Sequence, residues 1–130
     1  MSILSAPANT IIATANNGIH KTTDGGQTWT SVSIERGYSI VRVNDQILYC
    51  GTSDGKILKT TNAGNTWVDI TPNNVVLTGR VELGVTPNDV NFVFALDNTG
   101  VMVNTVDAGV NWTGLPGIPS YDSQGGYNMT

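Results

Sequence analysis

The sequence predicts an all-β protein assembled from repeated four-stranded antiparallel units. An eight-residue segment, here called the box, occurs three times, at 22–29, 60–67 and 105–112. Each box ends in a tryptophan, and these three tryptophans, 38 and then 45 residues apart, are the only ones in the chain. Strand-like apolar runs separated by Gly-containing turns fill the intervals. A period in this range is typical of repeat proteins in which each repeat is one small sheet.

Each repeat contains the same predicted elements in the same order. An apolar run is followed by a turn ending in glycine, a second short run leads into the box, and a closing strand begins at the tryptophan. Asn-Gly and Asp-Gly turns between such runs favour hairpins, because Asn, Asp and Gly tolerate a positive φ. A further strand precedes the second and third repeats, at 38–43 and 80–85. Each repeat is therefore predicted to be a four-stranded meander.

A meander of this size buries little surface alone, so several must pack face to face. Radial packing of such sheets gives a β-propeller, usually of about 4–8 blades. We predict blade 1 at about 1–34, blade 2 at about 37–72, blade 3 at about 79–116 and the start of a fourth blade at about 121–130. Three blades are too few to close a ring. We therefore expect a part of a larger propeller, or a ring closed by self-association through open blade edges.

The composition argues against several classes of function. Charged residues make up 12% of the 130 residues, the net charge is −4 and the six basic residues are scattered, so we expect no nucleic-acid partner. No apolar run approaches the ~20 residues of a membrane-spanning helix, and residues 1–15 lack the pattern of a signal peptide. The single cysteine, Cys50, excludes an internal disulfide and lies in an apolar run, so we expect a buried thiol.

The box is predicted to be a structural turn. Its third residue, Asp24 in box 1, can accept hydrogen bonds from turn N–H groups, and the glycine two positions later supplies backbone freedom. The indole is expected to pack against the turn and the neighbouring blade. Box 2 carries Asn62 at the third position, where a catalytic carboxylate or a metal ligand would not easily become an amide. We expect no metal and no cofactor, and assign structural roles to Thr22, Asp24, Gly26, Thr28, Trp29, Thr60, Asn62, Gly64, Thr66, Trp67, Thr105, Asp107, Gly109, Asn111 and Trp112.

The boxes resemble the Asp-box, or BNR repeat, whose pattern is Ser/Thr-x-Asp-x-Gly-x-Thr-Trp. Box 1 fits fully, whereas box 2 departs at Asn62 and box 3 at Asn111. Propellers with this repeat include sialidases, xyloglucan-type glycoside hydrolases, the luminal domain of sortilin and photosystem II assembly factors. Segment 80–95 is similar to an element of the sortilin-like and xyloglucanase-like branches, and 124–128 resembles a lead-in of secreted sortilin-like propellers. The resemblance implies an extracellular or periplasmic location.

The enzymes among these families require residues that can be sought in the sequence. A sialidase needs three arginines around its substrate carboxylate; the chain offers Arg36, Arg42 and Arg80, but Arg42 alternates with valines in a strand, and a surface role is favoured. A xyloglucanase-like enzyme needs two carboxylates facing across a cleft. Most acidic residues outside the boxes occupy turns, where Asp is common for backbone reasons. Glu82, in a predicted inner strand, is the one catalytic candidate, and no pair can be formed with it.

We therefore expect a non-catalytic segment of a secreted, sortilin-like propeller that binds a protein or carbohydrate ligand. One alternative is a part of a glycoside hydrolase, xyloglucanase- or sialidase-like, whose catalytic residues lie mostly outside this chain. Another is a propeller of the photosystem-assembly-factor type. Loops between blades, at 33–38 and 71–80, would present the contact surface. Val75, Val76 and Leu77 in the second loop are expected to be exposed.

Overall fold

Three four-stranded antiparallel sheets make up the fold. A computed structural model describes residues 3–5 and 9–115, in which each sheet is hydrogen-bonded in chain order and no helix long and apolar enough to cross a membrane occurs. The all-β prediction of four-stranded meanders is confirmed, while the expected start of a fourth blade lies outside the described residues. The strands are β1 (Ile3–Ser5), β2 (Ile11–Ala15), β3 (Gly18–Thr22) and β4 (Thr30–Ser33) in blade 1; β5 (Gly37–Arg42), β6 (Leu48–Thr52), β7 (Ile57–Thr60) and β8 (Val68–Asp69) in blade 2; and β9 (Glu82–Thr86), β10 (Asp89–Leu96), β11 (Met102–Thr105) and β12 (Thr113–Gly114) in blade 3.

The second and third strands of each blade form a tight hairpin. In blade 1, Ala15 pairs with Gly18 across a two-residue turn of asparagines. Gly55 and Gly100 occupy the corresponding turns of blades 2 and 3 with φ of +89° and +97°. Glycine reaches this region without the steric conflict that a β-carbon creates. The Gly-ending turns in the sequence therefore mark hairpins in all three blades.

Blade 2 is the middle layer of the structure. All five residues of its second strand, β6, are buried, whereas the second strand of blade 1 alternates between buried and partly buried positions. A strand that is buried on both sides must have a layer on each face of its sheet. Blade 1 covers one face of blade 2 and blade 3 covers the other.

Two apolar clusters fill the spaces between the blades. Ile12 and Ile19 of blade 1 pack with Leu48, Cys50 and neighbouring residues of blade 2. The second cluster joins residues of blades 2 and 3 and the connection between them; its buried members are Tyr49, Ile57, Leu77, Val81, Leu83, Val93, Ala95, Val103 and Trp112. The prediction of a buried Cys50 is confirmed, and burial raises the pKa of its thiol to about 12.

The loops gather at two opposite ends of the sheets. At the first, here called the box end, the fourth residue of each box donates its N–H to a carbonyl near the start of the second strand: Gly25 to Asn9, Ala63 to Gln46 and Ala108 to Asn91, at 2.9–3.0 Å. At the other end, here called the hairpin end, the turns between the second and third strands of the blades contact the connections between blades. An example is the hydrogen bond from Ser53 N to Arg36 O. The boxes therefore lie at the opposite end from the turns between the second and third strands of each blade.

The connection between blades 2 and 3 is less exposed than the sequence suggests. Leu77, expected at the surface, is 7% exposed and belongs to the second cluster, so that expectation was wrong. Val75 packs against the same cluster, and only Val76 is largely exposed. The reason is the path of the connection, because the Leu77 carbonyl lies directly against the Gly55 turn.

We predict that Gly55→Ala destabilises the fold more than Gly100→Ala. Both glycines have a positive φ at the same turn position, so an alanine at either one costs about 1–2 kcal/mol of backbone strain. A β-carbon on Gly55 would also lie 2.4 Å from the Leu77 carbonyl oxygen, while one on Gly100 would meet nothing within 4 Å. Overpacking should add about 1–3 kcal/mol to the Gly55 variant alone. Urea unfolding of both variants measures the difference, and equal midpoints would contradict the packing argument.

Candidate functional site

Each box is held together by side-chain hydrogen bonds. In box 1, Thr22 Oγ1 donates to Asp24 Oδ1 (2.6 Å) and accepts from the Gly26 N–H (3.1 Å). Asp24 also accepts from the backbone N–H of Thr28 (2.9 Å) and from its hydroxyl (2.6 Å). Thr22 is 2% exposed although it is polar, because its oxygen is satisfied inside the turn.

Boxes 2 and 3 keep this arrangement with different donors. Asn62 Oδ1 accepts from the Thr66 N–H (3.0 Å), but its Nδ2 donates to Thr66 Oγ1 (2.8 Å). That second bond runs in the opposite direction to box 1, where the threonine hydroxyl donates to Asp24. In box 3, Asn111 donates to Asp107 from both N and Nδ2, at 2.9 Å each. The third box position therefore needs an acceptor oxygen and does not need a negative charge.

The three box tryptophans differ in burial. Trp112 is 8% exposed and its Nε1 donates to the Ile70 carbonyl of blade 2 (3.0 Å). Trp67 is half-buried against the cluster between blades 1 and 2, and its Nε1 donates to Gly64 O within its own box. Trp29 makes the equivalent bond to Gly26 O but is 44% exposed. An indole covered by its own turn and a neighbouring blade is therefore observed in boxes 2 and 3, and box 1 differs.

Hydrogen bonding lowers the pKa of both box carboxylates. The side-chain bond from Thr22 is the largest cause for Asp24, followed by the bonds from Thr28, and the pKa of Asp24 lies far below its ordinary value. For Asp107 the bond from Thr105 is the largest cause, and the pKa falls to about 2. A group that exchanges a proton with a substrate works best with a pKa near the operating pH. The box carboxylates are suited to holding a turn.

A different group of side chains converges at the hairpin end, between blades 2 and 3. It lines a cleft of about 240 Å³ formed by Tyr38, Arg80, Glu82, Leu96, Asp97 and Asn98. Tyr38 lies in β5 where the register with β6 shifts, and Glu82 begins β9, paired with Leu96. Arg80 belongs to the connection just before β9. The first strands of blades 2 and 3 and the last hairpin thus deliver residues to one place.

The cleft contains both signs of charge. The Arg80 guanidinium carbon lies 5.4 Å from the centre of the Tyr38 ring, and its Nη2 is 3.4 Å from Asn98 Oδ1. This stacking distance is within the range of an attractive cation–π contact. Both Arg80 and Glu82 are exposed, and no described residue forms a hydrogen bond or ion pair with the Glu82 carboxylate.

Asp97, the second carboxylate of the cleft, is committed to the backbone. It is 5% exposed and accepts from the N–H groups of Thr78, Thr99 and Val101 and from the Thr99 hydroxyl, all at 2.8–2.9 Å. Burial raises the pKa of Asp97, but these hydrogen bonds outweigh it and the net shift is downward. Asp97 therefore fixes the turn beside the cleft, and Glu82 is its one exposed acid.

The structure does not gather the three arginines considered for a sialidase. Arg42 ends β5 at the box end and pairs with Asp45 at 3.2 Å, whereas Arg36 and Arg80 lie at the hairpin end. Tyr38 and Asn98 were not singled out from the sequence. No local pattern marks them, because their meeting depends on how two blades pack.

A larger cavity, about 460 Å³, lies between segment 69–74 of blade 2 and box 3. Residues that line it form two hydrogen bonds between blade 3 and segment 69–74: Trp112 Nε1 donates to Ile70 O, and Asn74 Nδ2 donates to Trp112 O. Its one indole N–H is therefore already used to join the two blades. We regard this cavity as the seam between blades 2 and 3, and the cleft at the hairpin end as the candidate functional site.

Solved structures with the same arrangement of sheets are known. An ancestral GH74 enzyme matches 93% of this chain with a TM-score of 0.77 and 18% sequence identity. A GH74 enzyme from Niastella koreensis matches 82% of it (TM-score 0.68, 21% identity), and YCF48 bound to D1 peptide matches 87% (TM-score 0.63, 22% identity). The three sheets are β-propeller blades. Identities this low establish the fold alone, and no family model or curated protein matches the chain.

The chain corresponds to only part of each of these proteins. It spans 19% of the ancestral GH74 enzyme, 20% of the Niastella koreensis enzyme and 43% of YCF48. The binding and catalytic properties of those longer proteins therefore depend on regions that have no counterpart in the described residues of this chain.

We predict that Asp24→Asn keeps the fold but weakens the dependence of stability on pH. A depressed carboxylate pKa stabilises the folded state above the unfolded-state pKa, and this stabilisation is lost as the pH falls through the folded-state value. Asp24 and Asp107 both have a lowered pKa, so the wild type should lose stability between about pH 5 and pH 2. Asn62 shows that an amide fits the site.

Urea unfolding at several pH values measures this effect. The variant should have a shallower slope below pH 5 than the wild type and a similar stability near neutral pH. Asp45→Asn serves as a control, since it removes an exposed carboxylate outside the boxes. An unchanged slope in Asp24→Asn would show that the box 1 carboxylate is not a source of the acid sensitivity.

Proposed function

We propose that this chain forms part of the ligand-binding end of a β-propeller and that the ligand is a polypeptide. The observation that carries the proposal is the cleft at the hairpin end, where exposed Arg80 and Glu82 flank Tyr38 and Asn98. Tyrosine and arginine dominate the energetics of many protein interfaces. Loops carried on a rigid scaffold are also the usual location of binding residues.

The state of Tyr38 favours a polypeptide over a carbohydrate. Arg80 lies over its ring at 5.4 Å, so one aromatic face is already occupied and cannot stack on a sugar ring. The remaining groups are a guanidinium, a carboxylate and an amide, which can pair with charged side chains and with backbone N–H and C=O groups. The fold likeness to YCF48, which was solved with a bound peptide, agrees with this choice.

We propose that this segment is not catalytic by itself. Glycoside hydrolysis by the usual routes needs two carboxylates about 5–10 Å apart, one of them acting as an acid. In the cleft, Glu82 is available, but Asp97 has its oxygens occupied by four donors. A secreted, sortilin-like parent protein is also part of the proposal, and the hydrogen-bonded boxes support its Asp-box repeats.

A glycoside hydrolase segment is the second candidate. The fold likeness to two GH74 enzymes favours it, and Glu82 would then be one of the two catalytic carboxylates, with its partner supplied from outside the described residues. This candidate requires that the complete protein cleave a β-glucan such as xyloglucan.

Binding by the full 130-residue chain can be tested with a peptide array of varied charge and a glycan array that includes xyloglucan oligosaccharides. A peptide selected on the array should bind Arg80→Ala at least about tenfold more weakly than the wild type, because an interface arginine at a hot spot contributes 2 kcal/mol or more. Calorimetry measures both dissociation constants. Arg42→Ala, which removes an arginine at the opposite end of β5, should bind like the wild type.

The alternatives give different results. Glycan binding that depends on Arg80, without peptide binding, would replace the polypeptide ligand by a carbohydrate. Release of oligosaccharides from xyloglucan, lost in Glu82→Gln, would establish the hydrolase candidate. Equal effects of Arg80→Ala and Arg42→Ala on peptide binding would remove the cleft from the proposal.

A further inference from the structure

Blades 1 and 3 each present a second face that resembles the faces buried inside the molecule. Both apolar clusters involve blade 2, and they lie on one side of blade 1 and one side of blade 3. In the described part of the chain, the other sides of these two blades are only partly buried. We call them the open face of blade 1 and the open face of blade 3.

The open face of blade 1 is built from Ile11, Ala13, His20 and Trp29. Ala13 pairs with His20 across β2 and β3, and the residues on either side of Ala13 point to blade 2 instead. Ile11, Leu48 and Val93 occupy equivalent positions, because each pairs with the first threonine of its own box. Ala13, Cys50 and Ala95 follow two residues later and are equivalent in the same way. In blades 2 and 3 those residues are buried against the preceding blade, at 0% exposure.

Among the described residues, no blade packs against box 1 in the way that blades 1 and 2 pack against boxes 2 and 3. A β-carbon on Gly64 would lie 2.6 Å from Ile12 Cδ1 of blade 1, and one on Gly109 would lie 2.6 Å from Ile70 Cδ1 of blade 2. The equivalent atom on Gly26 would meet only its own Trp29. Trp29 is 44% exposed for this reason, since the other two boxes have a blade against them.

The open face of blade 3 is the matching surface. It carries Phe94, Leu96, Met102 and Asn104, which alternate with the buried residues that face blade 2. Phe94 takes the place of Ile12 in blade 1 and Tyr49 in blade 2, both of which are 0% exposed because the next blade covers them. A further blade of the same kind would bury Phe94 in the same way.

A polar contact repeats across both interfaces. Lys21 of blade 1 donates to Asn65 Oδ1 in box 2 (2.9 Å), and Lys59 of blade 2 donates to Ala108 O in box 3 (2.8 Å). Each lysine lies on the third strand and reaches the box of the next blade. Asn104 occupies this position in blade 3 and is also a donor, while box 1 receives no such contact from the described residues.

We propose that the open face of blade 3 docks on the open face of blade 1 of a second copy of this chain, and that the described blades of two copies, six in all, close one ring. The contact would repeat the geometry of the blade 1–2 and blade 2–3 interfaces. Head-to-tail contacts of this type generate either closed rings or open filaments. Propellers close with about 4–8 blades, a range that includes the described blades of two copies and excludes those of one or three copies.

Light scattering coupled to gel filtration tests the proposal on the full chain. The expected mass is twice 13.7 kDa, falling toward 13.7 kDa on dilution. A folded monomer at all concentrations would overturn the proposal, and so would a series of larger species, since that result indicates filaments. Leu96 belongs both to the cleft and to the open face of blade 3, so the mass is measured without ligand and ligand binding is measured separately.

Substitutions on the two open faces test the orientation. Ala13→Glu on blade 1 and Met102→Glu on blade 3 should each give a monomer, because a charge would be buried at the contact. Val68→Glu is the matched control; Val68 lies on the outer strand β8 and is already 62% exposed, so the variant should keep the mass of the wild type. Circular dichroism confirms that each variant is folded. If both face variants keep the double mass, the proposed faces are wrong.

Trp29 supplies an independent measurement. Because it is the most exposed of the three indoles, docking on blade 1 should protect it from acrylamide. The quenching slope should be lower for the wild type at high concentration than for monomeric Met102→Glu, and Trp29→Phe should remove that difference. An equal slope for dimer and monomer would show that the open face of blade 1 is not the contact.

Discussion

Burial of both faces of a blade is the constraint on which this structure depends. Tyr49 and Cys50 are neighbours in β6, yet one packs toward blade 3 and the other toward blade 1. A sheet with two apolar faces cannot be stable in water as a single layer, because roughly 25 cal/mol is lost for each Å² of apolar surface left exposed. The stacking order of the blades follows from this requirement. The same requirement predicts that the open faces of blades 1 and 3, which are only partly buried, are contact surfaces.

The box end and the hairpin end of the sheets differ in how far their polar side chains are already hydrogen-bonded. At the box end, threonine, aspartate and asparagine side chains are used up in hydrogen bonds within each turn. At the hairpin end, backbone packs closely on backbone, as where the Gly51 α-carbon lies against the Val81 carbonyl. Charged side chains such as Arg80 and Glu82 are then left free to face solvent. The charged side chains of the cleft therefore lie at the hairpin end.

Much of the fold could be predicted from the sequence because its signals are local. The boxes, the Gly-ending turns and the alternation of apolar residues each lie within a few neighbouring positions. The cleft was only partly predictable: Glu82 was marked by its place in an inner strand, but Tyr38 and Asn98 meet Arg80 only through packing between blades. Leu77 was misjudged for the same reason. The burial of Trp29, Trp67 and Trp112 depends on whether a blade precedes each one, which no single box reveals.

The threonine hydroxyl at the seventh box position can either donate or accept a hydrogen bond. Thr28 donates to a carboxylate, and Thr66 accepts from an amide, with the same backbone bond beside it. One box can therefore exchange aspartate for asparagine without a new turn. For a protein built of many such repeats, the net charge of one rim becomes a quantity that mutation can adjust independently of the fold. Solubility and the electrostatic attraction of partners could then evolve at that rim while the blades stay the same.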